Sequence, residues 1–260
     1  MSEPAVLEAR DGAILRLAVN RPKQLNAMNA EVLDGIERPL RAAARDRAIR
    51  AIVIEGAGGK AFIAGADIRE MTGFGPREAE VLSQRTRDAY QAIEACPQPV
   101  VAAIDGLCLG GGLELAIACD LRIASDRSRF GLPEVTLGVL PGGGGTARLA
   151  HLVGAAVAKR LSLTGEIVDA PAALCMNLID ALYPVADFSG AVAAQMAKLA
   201  EMSPAAMARI KALFGQIIRD GAGAAHELEK LAFAQCFATA DQKEGMAAFA
   251  AKRPPRFTGE

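Results

Sequence analysis

Strand and helix signals alternate along the first 186 residues of this 260-residue chain and then stop, which restricts the fold more than any other feature of the sequence. Val6 and Leu7, the Asp11-Gly12 turn and the near-alternating apolar residues from Ile14 to Val19 predict a hairpin. Asn29 is placed to cap a helix whose apolar positions Val32, Leu33, Ile36 and Leu40 follow the helical period. Ala51 to Glu55 reads as a β-branched strand running into the glycine cluster at 56–59. The cycle repeats, with Pro76 opening a polar helix toward Glu94, a strand from Val100 to Ile104, a short helix from Leu113 to Cys119, and a strand from Leu121 to Ala124. Alternation of this kind predicts an α/β core over residues 1–186.

From residue 187 to 260 only helices are expected, three or four of them. Ser203 before Pro204 marks a helix start, and Asp241 with Glu244 three residues later resembles a capping box. Leu213, Phe214, Leu228, Leu231, Phe233, Phe237 and Phe249 give this region apolar faces that pack either on the core or on another subunit.

Charge and cysteine content exclude several functional classes. Lys plus Arg (29) nearly balances Asp plus Glu (30), with no long run of one sign, so the composition predicts neither nucleic-acid nor membrane-surface binding. The apolar stretch at 99–124 is interrupted by Asp105, Glu114 and Asp120 and is too polar to span a bilayer. MSEPAVLEAR carries acids and resembles neither a secretory signal nor a transit peptide, and five widely spaced cysteines suggest a reducing compartment; a cytoplasmic location is the expectation. With only His151 and His226, a histidine-based metal cluster has little material. Carboxylate chemistry is what remains.

Three glycine-rich loops, AFIAGADIRE at 61–70, DGLCLGGGLELAIACD at 105–120 and FGLPEVTLGVLPGGGG at 130–145, would let a ligand approach backbone amides closely, or would simply serve tight packing. Gly59-Lys60 is followed by Ala61 and fails the phosphate-loop pattern, and Gly142 to Gly145 misses the dinucleotide fingerprint. Glu114 shares a helical face with Gly110, Gly111, Ile117 and Ala118, so its charge is either paired at a rim or used. Glu134 follows Pro133 and suits the first turn of a helix, where the dipole favours an acid. Asp120 beside Arg122 predicts a structural ion pair, and Asp67 is a candidate helix cap.

IAGADI, GGGLELAIACD and FGLPEVTLGVLPGGGGTARL, in that order and spacing, resemble the signature segments of the crotonase (enoyl-CoA hydratase/isomerase) superfamily. The likeness runs from NRPKQLNAMN at 20–29 through TGEIVDAPAA at 164–173 to DQKEGMAAFAAKRPPRF at the end. It implies a right-handed spiral of β-β-α turns with a C-terminal helical trimerisation region, assembled as a homotrimer or a dimer of trimers. It further implies an acyl-CoA substrate and no metal or redox cofactor. By the same resemblance the amides of Ala66 and Gly111 form an oxyanion hole for the thioester carbonyl, and Ala64, Ala66, Asp67, Ile68, Arg69 and Gly111 line the CoA moiety. Glu114 and Glu134 match the two glutamates that hold the reacting water in hydratases of the family. Cys108, where alanine is common, and Gly143-Gly144, where an alanine often stands among the glycines, depart from the pattern and leave chain-length preference open. Isomerases of the superfamily generally lack one of the two glutamates, and some relatives bind RNA without catalysis; both acids and the near-neutral charge favour hydration.

Overall fold

The chain is described by a computed structural model over residues 3–220 and 222–260; Met1, Ser2, Gly221 and the side chains of residues 219 and 222–226, His226 among them, lie outside the described residues. Strands β1 (Val6–Asp11) and β2 (Ile14–Val19) form the expected antiparallel hairpin, followed by helix α1 (Ala30–Ala43). Asn29 caps α1 by accepting the Val32 amide at 3.0 Å. Next come β3 (Ala51–Gly56), β4 (Ala61–Ile63), the four-residue α2 (Ile68–Met71) and the long α3 (Pro76–Ala95). The third stretch holds β5 (Val100–Ile104), β6 (Leu107–Leu109) and α4 (Gly111–Ala116), and the fourth holds β7 (Leu121–Ser125), β8 (Arg129–Gly131) and a 3₁₀ turn, Pro133–Leu137. Helices α5 (Gly145–Val153) and α6 (Ala155–Thr164) lead to β9 (Val168–Asp169), α7 (Ala170–Cys175) and β10 (Ala181–Tyr183). Among the described residues, four helices follow: α8 (Val185–Ala200), α9 (Pro204–Asp220), α10 (Ala222–Cys236) and α11 (Ala240–Ala250).

The described residues form two sheets, one of six strands in the order β1-β2-β3-β5-β7-β10 and one of four in the order β4-β6-β8-β9. Each of the pairs β3/β4, β5/β6 and β7/β8 gives its first strand to the large sheet and its second to the small one, and a helical segment follows before the next pair. That is a β-β-α spiral, with parallel pairing between successive turns. The small-sheet strands of two or three residues are too short to show a hydrophobic period, so the sequence reading contains only the large-sheet members.

Alternation along β3 explains the layering. Ile52 and Ile54 face one core, with Val32, Leu33, Ile36 and Leu40 of α1 and Tyr90 and Ile93 of α3, while Ala51 and Val53 face a second core closed by Val192 and Met196 of α8. The helical C-terminal region therefore begins as a layer on the sheet. Lys211 of α9 ties the next helix down, its Nζ donating to Ile93 O (2.9 Å), Gln98 O (3.2 Å) and Asp120 Oδ2 (2.6 Å). No helix among the described residues is long and apolar enough to cross a membrane.

Local sequence logic fails at several points. Asp120 pairs with Lys211, 91 positions away, and Arg122 instead reaches Asp180 at 2.8 Å. Thr239, not Asp241, caps α11, accepting from the Gln242 amide at 3.1 Å. Asp241 is buried and accepts from Ser203 Oγ (2.8 Å) and the Thr258 (2.8 Å) and Gly259 (3.0 Å) amides, pinning the C-terminal tail. The helix expected from Leu113 to Cys119 starts two residues earlier and stops at Ala116.

Candidate active site

Helix α4 leaves β6 so close to β4 that a methyl group at Gly112 would stand 2.1 Å from Ile63 O; only glycine permits this approach. Two residues on, Glu114 is carried into the interior, where it is 3 % exposed. Its Oε1 accepts two amides, Gly143 at 2.9 Å and Gly145 at 2.7 Å, the second being the first residue of α5. Burial raises the Glu114 carboxyl above its ordinary range, opposed by these two amides and by Arg148 and Arg87.

Glu134 sits in the 3₁₀ turn after Pro133, as its sequence position suggests, yet the turn does not leave it an ordinary acid. Burial pushes its carboxyl up to about 7; its own backbone amide opposes this and the charge of Glu114 adds to it. Its Oε2 is buried and has no hydrogen-bond partner among the described residues. A buried, unpartnered carboxylate oxygen is costly unless something binds there. Both acids belong to the neighbourhood of Gly110: a methyl group there would stand 3.1 Å from Glu134 Oε1, Glu114 lies one helical turn beyond it, and the charge of Glu114 is felt at Glu134.

Across from them runs the segment after β4. The Met28 amide donates to Gly65 O and the Asp67 amide to Met28 O, both at 2.8 Å, so Met28 pairs with Ala66 as in a parallel bridge. This geometry turns the Ala66 amide away from Met28. The Gly111 amide, first in α4, has no acceptor within its helix. Neither amide donates to a backbone or side-chain acceptor among the described residues, and a methyl group on Gly111 would lie 3.9 Å from Ala66 N. Two neighbouring amides in this state suit a single oxygen that gains negative charge.

The other residues singled out in this segment have different surroundings. The Ala64 amide is spent on Leu25 O at 3.1 Å, and Ile68 and Arg69 open α2 with exposed side chains. Asp67 occupies the cap position of α2 but caps nothing; its carboxylate pairs with Arg21 at 2.8 Å, whose hydrogen bond holds it below the usual range. Cys108 is buried in the main core, and burial pushes its thiol well up.

Several residues that shape the site escape sequence reasoning. Buried Asn26, in a left-handed conformation, donates to Ala57 O (2.9 Å) and Ala61 O (2.8 Å) and accepts from the Arg21 amide (3.0 Å), locking the 20–28 loop to β4. Tyr90 lies between the two halves of the site, and Arg148 anchors the glycine loop through Gly143 O at 2.7 Å while paired with Glu94 at 2.7 Å. The only available signals were the apolar stripe Ala89, Tyr90, Ala92 and Ile93 on an otherwise polar helix, and a basic residue following a glycine run. No group of three His, Cys, Asp or Glu side chains that could hold a metal ion occurs among the described residues.

Residues 9–260 match a family model described as Enoyl-CoA hydratase/isomerase. The chain is similar to a crotonyl-CoA hydratase of Syntrophomonas wolfei, 38% identical over 255 residues and 98% of each protein. It is likewise similar to a 2,3-dehydroadipyl-CoA hydratase of Escherichia coli, 37% identical over 260 residues and the whole of both. Among solved structures, an enoyl-CoA hydratase from Bacillus anthracis superposes with a TM-score of 0.94 at 33% identity, covering 98% of this chain and 100% of that one.

Proposed function

Because the chain belongs to the enoyl-CoA hydratase/isomerase family, we propose that it adds water reversibly across the double bond of a trans-2-enoyl-CoA, giving a 3-hydroxyacyl-CoA. The observation that carries this reading is the pair of acids near Gly110, amide-held Glu114 and Glu134 with an Oε2 that has no partner among the described residues, beside two amides free to bind a carbonyl.

In the proposed reaction the thioester oxygen lies between the amides of Ala66 and Gly111. Glu114, oriented by Gly143 and Gly145, takes a proton from water as its oxygen bonds to the β-carbon. The π electrons move toward the carbonyl, and the negative charge that develops on oxygen is stabilised by the two amides, one such donor being worth roughly 3–4 kcal/mol. Glu134 then gives its proton to the α-carbon, which restores the carbonyl. A carboxyl near 7 is divided between its acid and base forms at neutral pH, which suits a group that donates in one direction and accepts in the other. The acids end with the proton exchanged between them, so the pair carries one proton throughout.

Family resemblance also supports assembly in threes. Ile210, Phe214 and Ile218 of α9, Leu231 and Phe233 of α10 and Phe249 of α11 are exposed in the single chain, an apolar surface suited to burial against further copies. The hydration reading is tested by following loss of the conjugated enoyl thioester absorbance with crotonyl-CoA, longer-chain and ring-bearing CoA substrates. Turnover of at least one supports it; none contradicts it.

A further inference from the structure

The hydration reading uses the amides of Gly111, Gly143 and Gly145, which belong to two loops some thirty residues apart in sequence, and one side chain touches both loops. Tyr90 is fully buried on α3. Its hydroxyl donates to Gly111 O at 2.7 Å and lies 3.3 Å from Met28 Sδ, beside the turn that supplies one carbonyl-binding amide. Its ring edge reaches the other loop: a methyl group on Gly143 would meet Tyr90 Cε2 at 2.6 Å, Thr86 Cγ2 at 2.8 Å and Glu114 Oε2 at 3.0 Å. The guanidinium of Arg148 stands 5.8 Å from the ring centroid, and the same group holds Gly143 O. Position 143 lies in the run where the family often carries alanine, and here the space such a methyl would occupy is filled by the tyrosine ring.

Resting on the hydration reading, we infer that Tyr90 is a positioning residue. Its hydroxyl fixes the Gly111 turn of the carbonyl site, and its ring fixes the Gly143 amide that orients Glu114, so one side chain sets the register between the base and the carbonyl. Burial, and then the charge of Glu114, raise the phenol well above its ordinary range, so the hydroxyl remains a donor at every working pH. Tyr90 touches no reacting atom. Its contribution is to geometry, which predicts an effect on kcat rather than on binding.

Tyr90→Phe removes the hydroxyl and keeps the ring. With crotonyl-CoA it is expected to lower kcat about tenfold, the size of one positioning hydrogen bond, and to leave KM within about twofold. Acetoacetyl-CoA, whose enolate absorbs where the keto form does not, is expected to show less enolate when bound to the variant. Equal kcat and equal enolate signal in the variant overturn the role of the hydroxyl. The ring is tested by coupling: the loss of kcat caused by Gly143→Ala should be at least about fivefold smaller in a Tyr90→Leu background than in the native one. An equal loss in both backgrounds overturns the role of the ring, and this arm stands even if Tyr90→Phe does not fold. Failure of the native protein to hydrate any enoyl-CoA overturns the hydration reading itself, whereas native turnover matched by the variants overturns the Tyr90 assignment alone.

Discussion

A single methyl group at Gly145 isolates the contribution of Glu114's orientation. It would stand 2.7 Å from Glu114 Oε1, 2.8 Å from Cγ and 3.1 Å from Cδ, whereas an ordinary contact needs about 3.4–4.0 Å. The carboxylate must therefore move by roughly 1 Å, and both of its amide hydrogen bonds, now 2.9 and 2.7 Å, are lost or lengthened. A displacement of that size in a reacting group is worth about a hundredfold in rate. Gly145→Ala should accordingly lower hydration kcat about a hundredfold with little change in KM, because the carbonyl amides are untouched. The fold should survive, since Gly145 has no left-handed φ that alanine would have to strain to adopt. Gly142→Ala is the control, as a methyl there meets nothing closer than Ser83 at 3.9 Å, and it should behave as the native protein. Steady-state kinetics on crotonyl-CoA with a thermal melt of each variant checks both. A folded Gly145→Ala enzyme with native kcat would refute the view that the amide cradle sets the base.

Glu114→Gln and Glu134→Gln should each reduce hydration by at least about a hundredfold with the fold retained, checked by kinetics and circular dichroism; near-native turnover removes that residue from the chemistry. As the pH rises through the Glu134 value of about 7 the pair loses its shared proton, so kcat/KM should fall about tenfold per pH unit above it. The fall should be identical for hydration and dehydration, and a profile flat to pH 9, or different in the two directions, contradicts the shared-proton scheme. Light scattering should show a trimer or a dimer of trimers, and truncation after Glu201 should reduce it to smaller species; a monodisperse active monomer contradicts assembly, and a truncated stable trimer moves the interface elsewhere.

What the sequence could reveal follows from the range of each interaction. The β1–β2 hairpin, the Asn29 cap and the strands at 51, 100 and 121 rest on neighbours within a few residues, and all are present as read. Glu114 stands out in the sequence because its helical face is otherwise glycine and apolar, and its burial is present as that face implies; Glu134 reads equally as a first-turn acid, and its pairing with Glu114 comes from the family resemblance. Asp120 and Asp241 suggest local partners in the sequence but have remote ones in the fold, because burial beside α9 and the C-terminal tail outweighs proximity along the chain. Tyr90 is unreadable for the same reason: its hydroxyl bonds to Gly111 O and its ring packs at Gly143, both remote in sequence, and a buried aromatic on a helix reads as core. The short strands of the small sheet gain their identity from parallel pairing with other turns of the spiral, which no single stretch of sequence contains.

The central claim, that Glu114 and Glu134 drive addition of water to a conjugated thioester held by two amides, is tested most directly in water enriched in heavy oxygen. Incubated there with crotonyl-CoA, the native protein should yield a 3-hydroxyacyl-CoA carrying one heavy oxygen on the β-carbon, and Glu114→Gln and Glu134→Gln should yield almost none over the same interval. Substrate returned unlabelled, or converted to a positional isomer without gain of water, would contradict it.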